Sequence, residues 1–363
     1  CEACHGPGSQ HVDWAQMPDM ARPAVDNYAL AQKTSDLTSV ELVEQCAACH
    51  SRRGSMADLG HTETEFMDTF LPSLLDEGLY FADGQILDEV YVYGSFIQSK
   101  MFDRDVKCSD CHDVHSVERV LEGNALCLQC HRESQYDTYE HHFHKQEGEE
   151  GEPILSDTGE VLWEVGTGAQ CETCHMPGRY YMGNDYRPDH SFRVPNPRLS
   201  AEIGAPDPCL RCHVDQDALW SREKVEEWYG PGQASHYGEI LFRARRGEPG
   251  ADTELAALAA DDLYPVNVRA TAISLLGSNY PGAAAAQAID LALVDESPMI
   301  RRTAVSVVSS ADGRILSGKL ARALHDPVKT VRIEAASRLA GPLSDYLDIP
   351  QTELLEQVLE EYR

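Results

Sequence analysis

All twelve cysteines of this chain fall in six copies of one pattern, C-x-x-C-H: Cys1, Cys4, His5; Cys46, Cys49, His50; Cys108, Cys111, His112; Cys127, Cys130, His131; Cys171, Cys174, His175; and Cys209, Cys212, His213. Two thiols three residues apart can add to the two vinyl groups of a porphyrin, and the adjacent histidine then lies under the iron as its proximal ligand. Other cysteine chemistry fits the spacing poorly. Six C-x-x-C disulfides would close only tiny loops, and zinc would need ligand sets grouped into tetrahedra, with no reason for histidine at one fixed offset. The pattern therefore predicts six covalently attached haem c groups.

Iron has a sixth position, and fifteen histidines less the six in motifs leave nine: His11, His61, His115, His141, His142, His144, His190, His236 and His325. Neutral imidazole is a strong iron ligand. The first eight lie among or just after the motifs and are distal candidates, enough for bis-histidine ligation at every iron. His325 falls in the C-terminal region and reads as a surface residue. His115 follows His112 by three residues, a link of about 10 Å at full stretch, too short to pass round a porphyrin edge. It must serve a different haem, or none. If such residues are ligands, one segment grips one haem proximally and its neighbour distally, which forces close packing.

The elements that position these residues read as a mainly α fold in two parts. Residues 1–236 form a haem-cored multihaem cytochrome domain of short helices and long loops, because about 40 residues per cofactor cannot build a polypeptide core unaided. Leu87 to Met101 reads as a helix leading into the third motif, and "ILSDTGEVLWEV" as a hairpin about an Asp-Thr-Gly turn. Residues 237–251 read as a linker. Residues 252–363 repeat at about 32-residue spacing: "DDLYPVNVRATAISLL", "DESPMIRRTAVSVV" and "DPVKTVRIEAASRLA" share Asp, Pro, an aliphatic-Arg pair and Ala. Proline in the first turn and alanine-rich amphipathic stretches predict an α-solenoid of HEAT-like helix pairs.

Sixty acidic against thirty basic residues give a net charge of −30, which excludes a nucleic-acid footprint and disfavours anionic membranes. No stretch approaches the roughly twenty apolar residues of a membrane span. Covalent haem attachment takes place outside the bacterial cytoplasm, so a periplasmic or extracellular location is expected, with an export signal ahead of the first residue shown. Cys1 is committed to a haem thioether and so cannot carry a lipid.

Several stretches resemble one family: "CEACHGPGSQHVDWA", "LLDEGLYFADGQILDEVYVYGSFIQSKMF", "VKCSDCHDVHS", "EGNALCLQCH", "YEHHFHK", "CETCHMPGRYYM", "RPDHSFRVPNP" and "WYGPGQASHYGE". They are similar to octahaem-type c cytochromes with C-terminal HEAT-like repeats. More distant likeness runs to hydroxylamine oxidoreductase, octahaem tetrathionate reductase and the tetrahaem cytochromes of ammonia oxidisers. The resemblance covers about residues 1–240. It implies two further haems on sequence upstream of Cys1 and distal roles for His11, His115 and His190. Phe81 and Phe102 stand where the family often has histidine, and the 147–166 insertion is longer than expected.

The expected function is electron transfer along closely packed bis-histidine haems, with redox proteins or electron acceptors as partners and no catalytic residue assigned. Motifs at the N-terminal edge leave open self-association into an extracellular conducting filament. The alternative is a reductase or oxidase of small nitrogen or sulfur compounds, which needs an open iron position. Motif two, Cys46 to His50, has the least evident local distal partner and is the candidate for it. A haem-bearing scaffold whose repeats recruit partners is a third reading.

Overall fold

The structure, a computed structural model, describes residues 1–56, 65–232 and 235–362. It is mainly helical, with four two-stranded antiparallel pairings among the described residues. Contacts divide it into two compact units, each discontinuous in sequence. One holds Cys1–Leu74, Asp105–Lys107 and Asp252–Arg363; the other holds Leu75–Arg104 and Cys108–Ala251. Motifs one and two lie in the first, and motifs three to six in the second.

In the first unit the repeat motif acquires a physical meaning. Helices Val266–Asn279, Pro298–Val307 and Lys329–Leu339 pack in succession, flanked by Ala283–Ala292, Gly313–Ala323 and Ile349–Tyr362. The aliphatic member of each pair, Val268, Ile300 and Val331, is at most 1% exposed, so it is the buried contact of its repeat. The arginine beside it reaches forward to an acid 25 to 29 residues on: Arg269 to Asp295 at 2.6 Å, Arg301 to Asp326 at 2.7 Å, and Arg332 to Glu361 at 2.8 Å. Arg301 also donates to the Asp295 and Glu296 carbonyls at 2.9 and 2.8 Å, and Arg332 repeats this on Asp326 and Pro327 at 2.8 Å. Each acceptor aspartate in turn takes the backbone N–H two residues on, Ser297 and Val328. The recurring Asp, Pro and aliphatic-Arg are therefore one device, a buried apolar peg beside a guanidinium that ties consecutive turns.

The same unit holds the short Phe66–Thr69 helix against Lys329–Leu339, where the Asp68 carboxylate accepts the Lys329 N–H at 2.6 Å, and Phe66 and Met67 are buried. The Ser39–His50 helix, which ends in motif two, starts from a capping box: Glu41 N–H donates to Thr38 Oγ1 at 3.3 Å and Thr38 N–H to Glu41 Oε2 at 2.7 Å. It buries Leu42, Val43, Ala47 and Ala48. His325, in a turn of the repeats, is exposed, as the sequence suggested.

The second unit has a polypeptide core of its own. Leu75, Tyr80, Val90, Tyr93, Phe96, Ile97, Leu241 and Ala244 are buried there. Within 87–101, where the spacing predicts a helix, only Tyr93–Phe96 is helical. Tyr91 adopts φ 60°, a left-handed conformation that breaks the run. Residues 237–251, expected as a linker, contain the helix Tyr237–Arg245, whose Tyr237, Leu241 and Ala244 at i, i+4 and i+7 are packed inside. The Ile154–Leu155 and Val161–Trp163 hairpin forms where the sequence places it. By contrast, helices Cys108–Cys111, Asn124–Leu128, Glu133–Tyr136, Tyr139–His142 and Cys171–His175 bury no residue against polypeptide.

The guanidinium ladder gives a quantitative expectation. Arg301 and Asp326 are 14% and 8% exposed, so truncating the arginine strands a buried carboxylate and two carbonyls. Arg301→Ala should lower the unfolding free energy by about 3 kcal/mol, read from urea titrations followed by far-ultraviolet circular dichroism. Lys319→Ala, which breaks a more exposed pair, should cost about 0.5 kcal/mol. Equal effects would contradict the ladder's role.

Candidate haem sites

A C-x-x-C-H sequence wound into one helical turn puts its two thiols and its imidazole on one side, because residues three and four apart share a face. The structure folds five of the six motifs this way; in motif three the helix Cys108–Cys111 stops short of His112, which begins a strand. In motifs one, four and six the histidine N–H donates to the carbonyl of the first cysteine, at 2.8, 3.0 and 3.0 Å for His5, His131 and His213. Motif five is the helix Cys171–His175, and motif two closes the Ser39–His50 helix. None of the twelve cysteines is joined in a disulfide.

Histidine protonation sorts the remaining candidates. A backbone carbonyl can only accept, so an Nδ1 facing one must carry the proton, which puts the ring's lone pair on Nε2, the nitrogen that would meet a metal. Motif histidines His5 and His175 meet this condition, on Gln32 O at 3.3 Å and Arg193 O at 2.7 Å. Of the distal candidates, His11 faces Tyr28 O at 2.7 Å, His190 faces Pro188 O at 3.0 Å, and His144 bonds the His142 carbonyl. His142 and His236 are arranged in the opposite sense. His142 Nδ1 accepts the His144 N–H at 3.2 Å, and His236 Nδ1 accepts the Gly238 N–H at 3.0 Å. Their Nδ1 lone pairs are engaged, so in the neutral ring Nε2 holds the proton. His236 is the N-cap of the Tyr237–Arg245 helix, with Glu239 completing a capping box.

Three pairs of rings then meet. His190 lies over motif histidine His112 with centroids 6.4 Å apart and planes at 27°; His141 lies over His175 at 6.2 Å and 9°; His144 faces His213 at 6.2 Å and 42°. Two metal–imidazole bonds of about 2 Å in line, with ring centres about 1.1 Å beyond each nitrogen, put axial rings about 6.3 Å apart. Such separations also occur between ordinary packed aromatics. What distinguishes these three is that each joins a motif histidine to one outside the motifs, from a different segment. The donor chemistry, the spacing and the unburied motif helices all fit a large apolar iron porphyrin.

The motifs of this unit also follow one another in space. Burial raises the Cys111 thiol, with Cys127 and Cys130 of the next motif close enough to add to it. Cys127 and Cys171 hydrogen-bond to each other, which holds Cys127 down to about 7 and pushes Cys171 up. Burial pushes Cys174 up to about 11, helped by Cys212 of motif six. Asn124 fastens motif four to motif five, donating to Asp137 at 2.9 Å and Ala169 O at 3.0 Å while accepting the Cys171 N–H at 2.8 Å. Tyr136 stands edge-on to both His131 and His141, at 5.7 and 5.3 Å.

In the first unit, His11 and Cys1 border a cavity of about 510 Å³. His50 is exposed at the end of its helix, and His61 lies outside the described residues. His115 is exposed in the turn after motif three, its N–H on Asp113 at 3.0 Å. Phe81 and Phe102 are packing residues: Phe81 lies under the Arg179 guanidinium at 5.6 Å and Phe102 edge-on to Phe96 at 5.8 Å. The lone-pair directions and ring pairings could not be read from the sequence, which offered eight distal candidates without saying which meets which motif.

His236 carries a pH dependence of known sign. Burial, then the Arg193 guanidinium, hold it down to about 4, against opposing pulls from Asp83 and Glu239 and a small further push from Arg198. An unfolded histidine takes its proton near 6.5, so below that pH the unfolded chain binds a proton that the fold refuses until about 4. This part of the stability is complete above about 6.5 and drains as pH falls, by about 2 kcal/mol between 6.5 and 5. His236→Asn keeps a cap and should flatten that slope in urea titrations while leaving the haem spectrum unchanged; an altered spectrum with an unchanged slope would make His236 a ligand instead.

No protein-family model matches this chain, and no curated protein matches it in sequence. Among solved structures, the crystal structure of the outer cell wall cytochrome OcwA overlaps it with a TM-score of 0.38 and 15% identity, over 84% of this chain and 68% of that one. At that level the overlap carries no weight for fold or chemistry, and the function of this chain rests on its own residues.

Proposed function

We propose that this chain is a multihaem c-type cytochrome that moves electrons between haems held close together outside the cytoplasm. The observation that carries the reading is the set of three histidine pairs, His112 with His190, His175 with His141, and His213 with His144, each at 6.2–6.4 Å. Six haem c groups would be held by the twelve cysteines, with His5, His50, His112, His131, His175 and His213 proximal. His190, His141 and His144 would be distal at motifs three, five and six, and His11, with its free Nε2 bordering the same cavity as Cys1, would be a ligand in the motif-one region. His142 and His236, whose Nδ1 lone pairs are engaged, are left out of the set. When bound, haem supplies one-electron chemistry at iron.

The chain's own part is to orient imidazoles and hold neighbouring sites together. If histidines held an iron from both sides, no place would remain there for substrate, which favours transfer over catalysis at motifs three, five and six. The Cys127–Cys171 hydrogen bond and the Asn124 tie between motifs four and five, with Cys127 near Cys111 and Cys212 near Cys174, support a continuous order of sites from motif three to motif six. We assign residues 252–363 as a HEAT-like solenoid on the strength of the repeating guanidinium ladder, and residues 1–236 as the cytochrome region. Redox proteins or terminal acceptors are the partners this role requires.

Ligand exchange tests it. Methionine opposite histidine raises a haem potential, so His190→Met should leave six covalent haems per chain by mass and move one of them to clearly higher potential in an equilibrium redox titration. A titration identical to that of the parent protein would remove His190 from the iron.

A further inference from the structure

One short segment serves two iron positions. His141 and His144 are three residues apart, yet His141 lies against His175 of motif five and His144 against His213 of motif six. In a continuous helix, residues three apart point the same way. Here the helix Tyr139–His142 ends at Phe143, which adopts φ 56°, ψ 24°, the left-handed region that non-glycine residues rarely enter. That turn sends His144 off in a new direction.

We infer that a seat formed by Phe143, Trp228 and Gly168 is the positioning device that divides these two histidines between neighbouring haems; the inference rests on the ligand assignment proposed above. Three observations meet at it. The Phe143 ring lies flat on Trp228, centroids 4.5 Å apart and planes at 4°, so the left-handed turn is pinned by the long Ala218–Tyr229 helix. Trp228 then meets the His144 ring edge-on at 6.4 Å. On another side Gly168 leaves the room that His144 occupies: a Cβ there would lie 2.3 Å from His144 Cδ2 and 2.6 Å from Cγ. The neighbouring Tyr229 stands edge-on to Phe143 at 5.9 Å and donates its hydroxyl to the His141 carbonyl, so the same helix end also fixes the first histidine. Adjacent side chains of one helix thus hold both members of the divided pair.

These are positioning residues, since they reach iron only through His144. The test is carbon monoxide uptake by the reduced, fully haem-loaded protein, with covalent haem counted by mass. Trp228→Leu and Gly168→Ala should each open one haem per chain more than the parent protein to carbon monoxide, with a difference spectrum matching that of His144→Ala and not that of His141→Ala. Trp228→Phe, which keeps a ring for Phe143 to stack on, should take up no more than the parent. Trp228→Leu and Gly168→Ala proteins with six haems and no uptake beyond the parent's would overturn the inference, as would Trp228→Phe opening like Trp228→Leu. If His144→Ala itself adds nothing to the parent's uptake, the ligand assignment fails instead. If Trp228→Leu does not accumulate, Gly168→Ala decides the question alone.

Discussion

The unit that holds motifs three to six depends on where an imidazole proton sits. A ring whose Nδ1 meets a backbone carbonyl is locked into the tautomer that offers Nε2 to a metal, and a ring whose Nδ1 meets a backbone N–H is locked out of it. Arg193, Pro188 and the His142 carbonyl supply the first kind of contact for His175, His190 and His144. Gly238 and His144 N–H supply the second kind for His236 and His142. The rest of the unit serves to place those backbone groups: Arg193 is returned to His175 by the Gly178–Tyr181 and Asp185–Pro188 hairpin, and its N–H bonds the His175 carbonyl at 3.0 Å to close the clamp.

This division of labour explains why the two units are built on different physics. The helical repeats are stabilised by burial, with Val268, Ile300 and Val331 as pegs and a guanidinium tie at each turn. The motif helices of the second unit bury nothing against polypeptide and are held by side-chain ties such as Asn124 and by aromatic contacts such as Phe143 on Trp228. In an acidic chain of net charge −30, covalent attachment of large apolar groups is a direct way to supply the core that such a segment lacks.

Much of this was legible in the sequence, and the reasons are local. The thiols and the histidine of each motif lie within five residues, so spacing alone groups them into one proposed site. The repeats were visible because Asp, Pro and the aliphatic-Arg pair each have a fixed job at a fixed offset. What stayed hidden depends on residues far apart or on single backbone angles. His112 and His190 lie far apart in the chain, and nothing in either neighbourhood announces the other. The helix expected over 87–101 shrinks to Tyr93–Phe96 because Tyr91 turns left-handed, and the left-handed Phe143 that separates His141 from His144 is equally silent in the sequence. The helix at 237–245 was missed because histidine is an unusual N-cap, although Glu239 and the Tyr237, Leu241, Ala244 spacing could have revealed it.

The central claim is that histidines outside the motifs complete the iron coordination at motifs three, five and six. Low-temperature electron paramagnetic resonance of the oxidised protein addresses it most directly. Bis-histidine iron at those sites predicts low-spin ferric signals from at least three haems per chain, in which the near-parallel pair His141 and His175 contributes a rhombic component. A spectrum in which more than three of the six haems are high-spin ferric iron would contradict it.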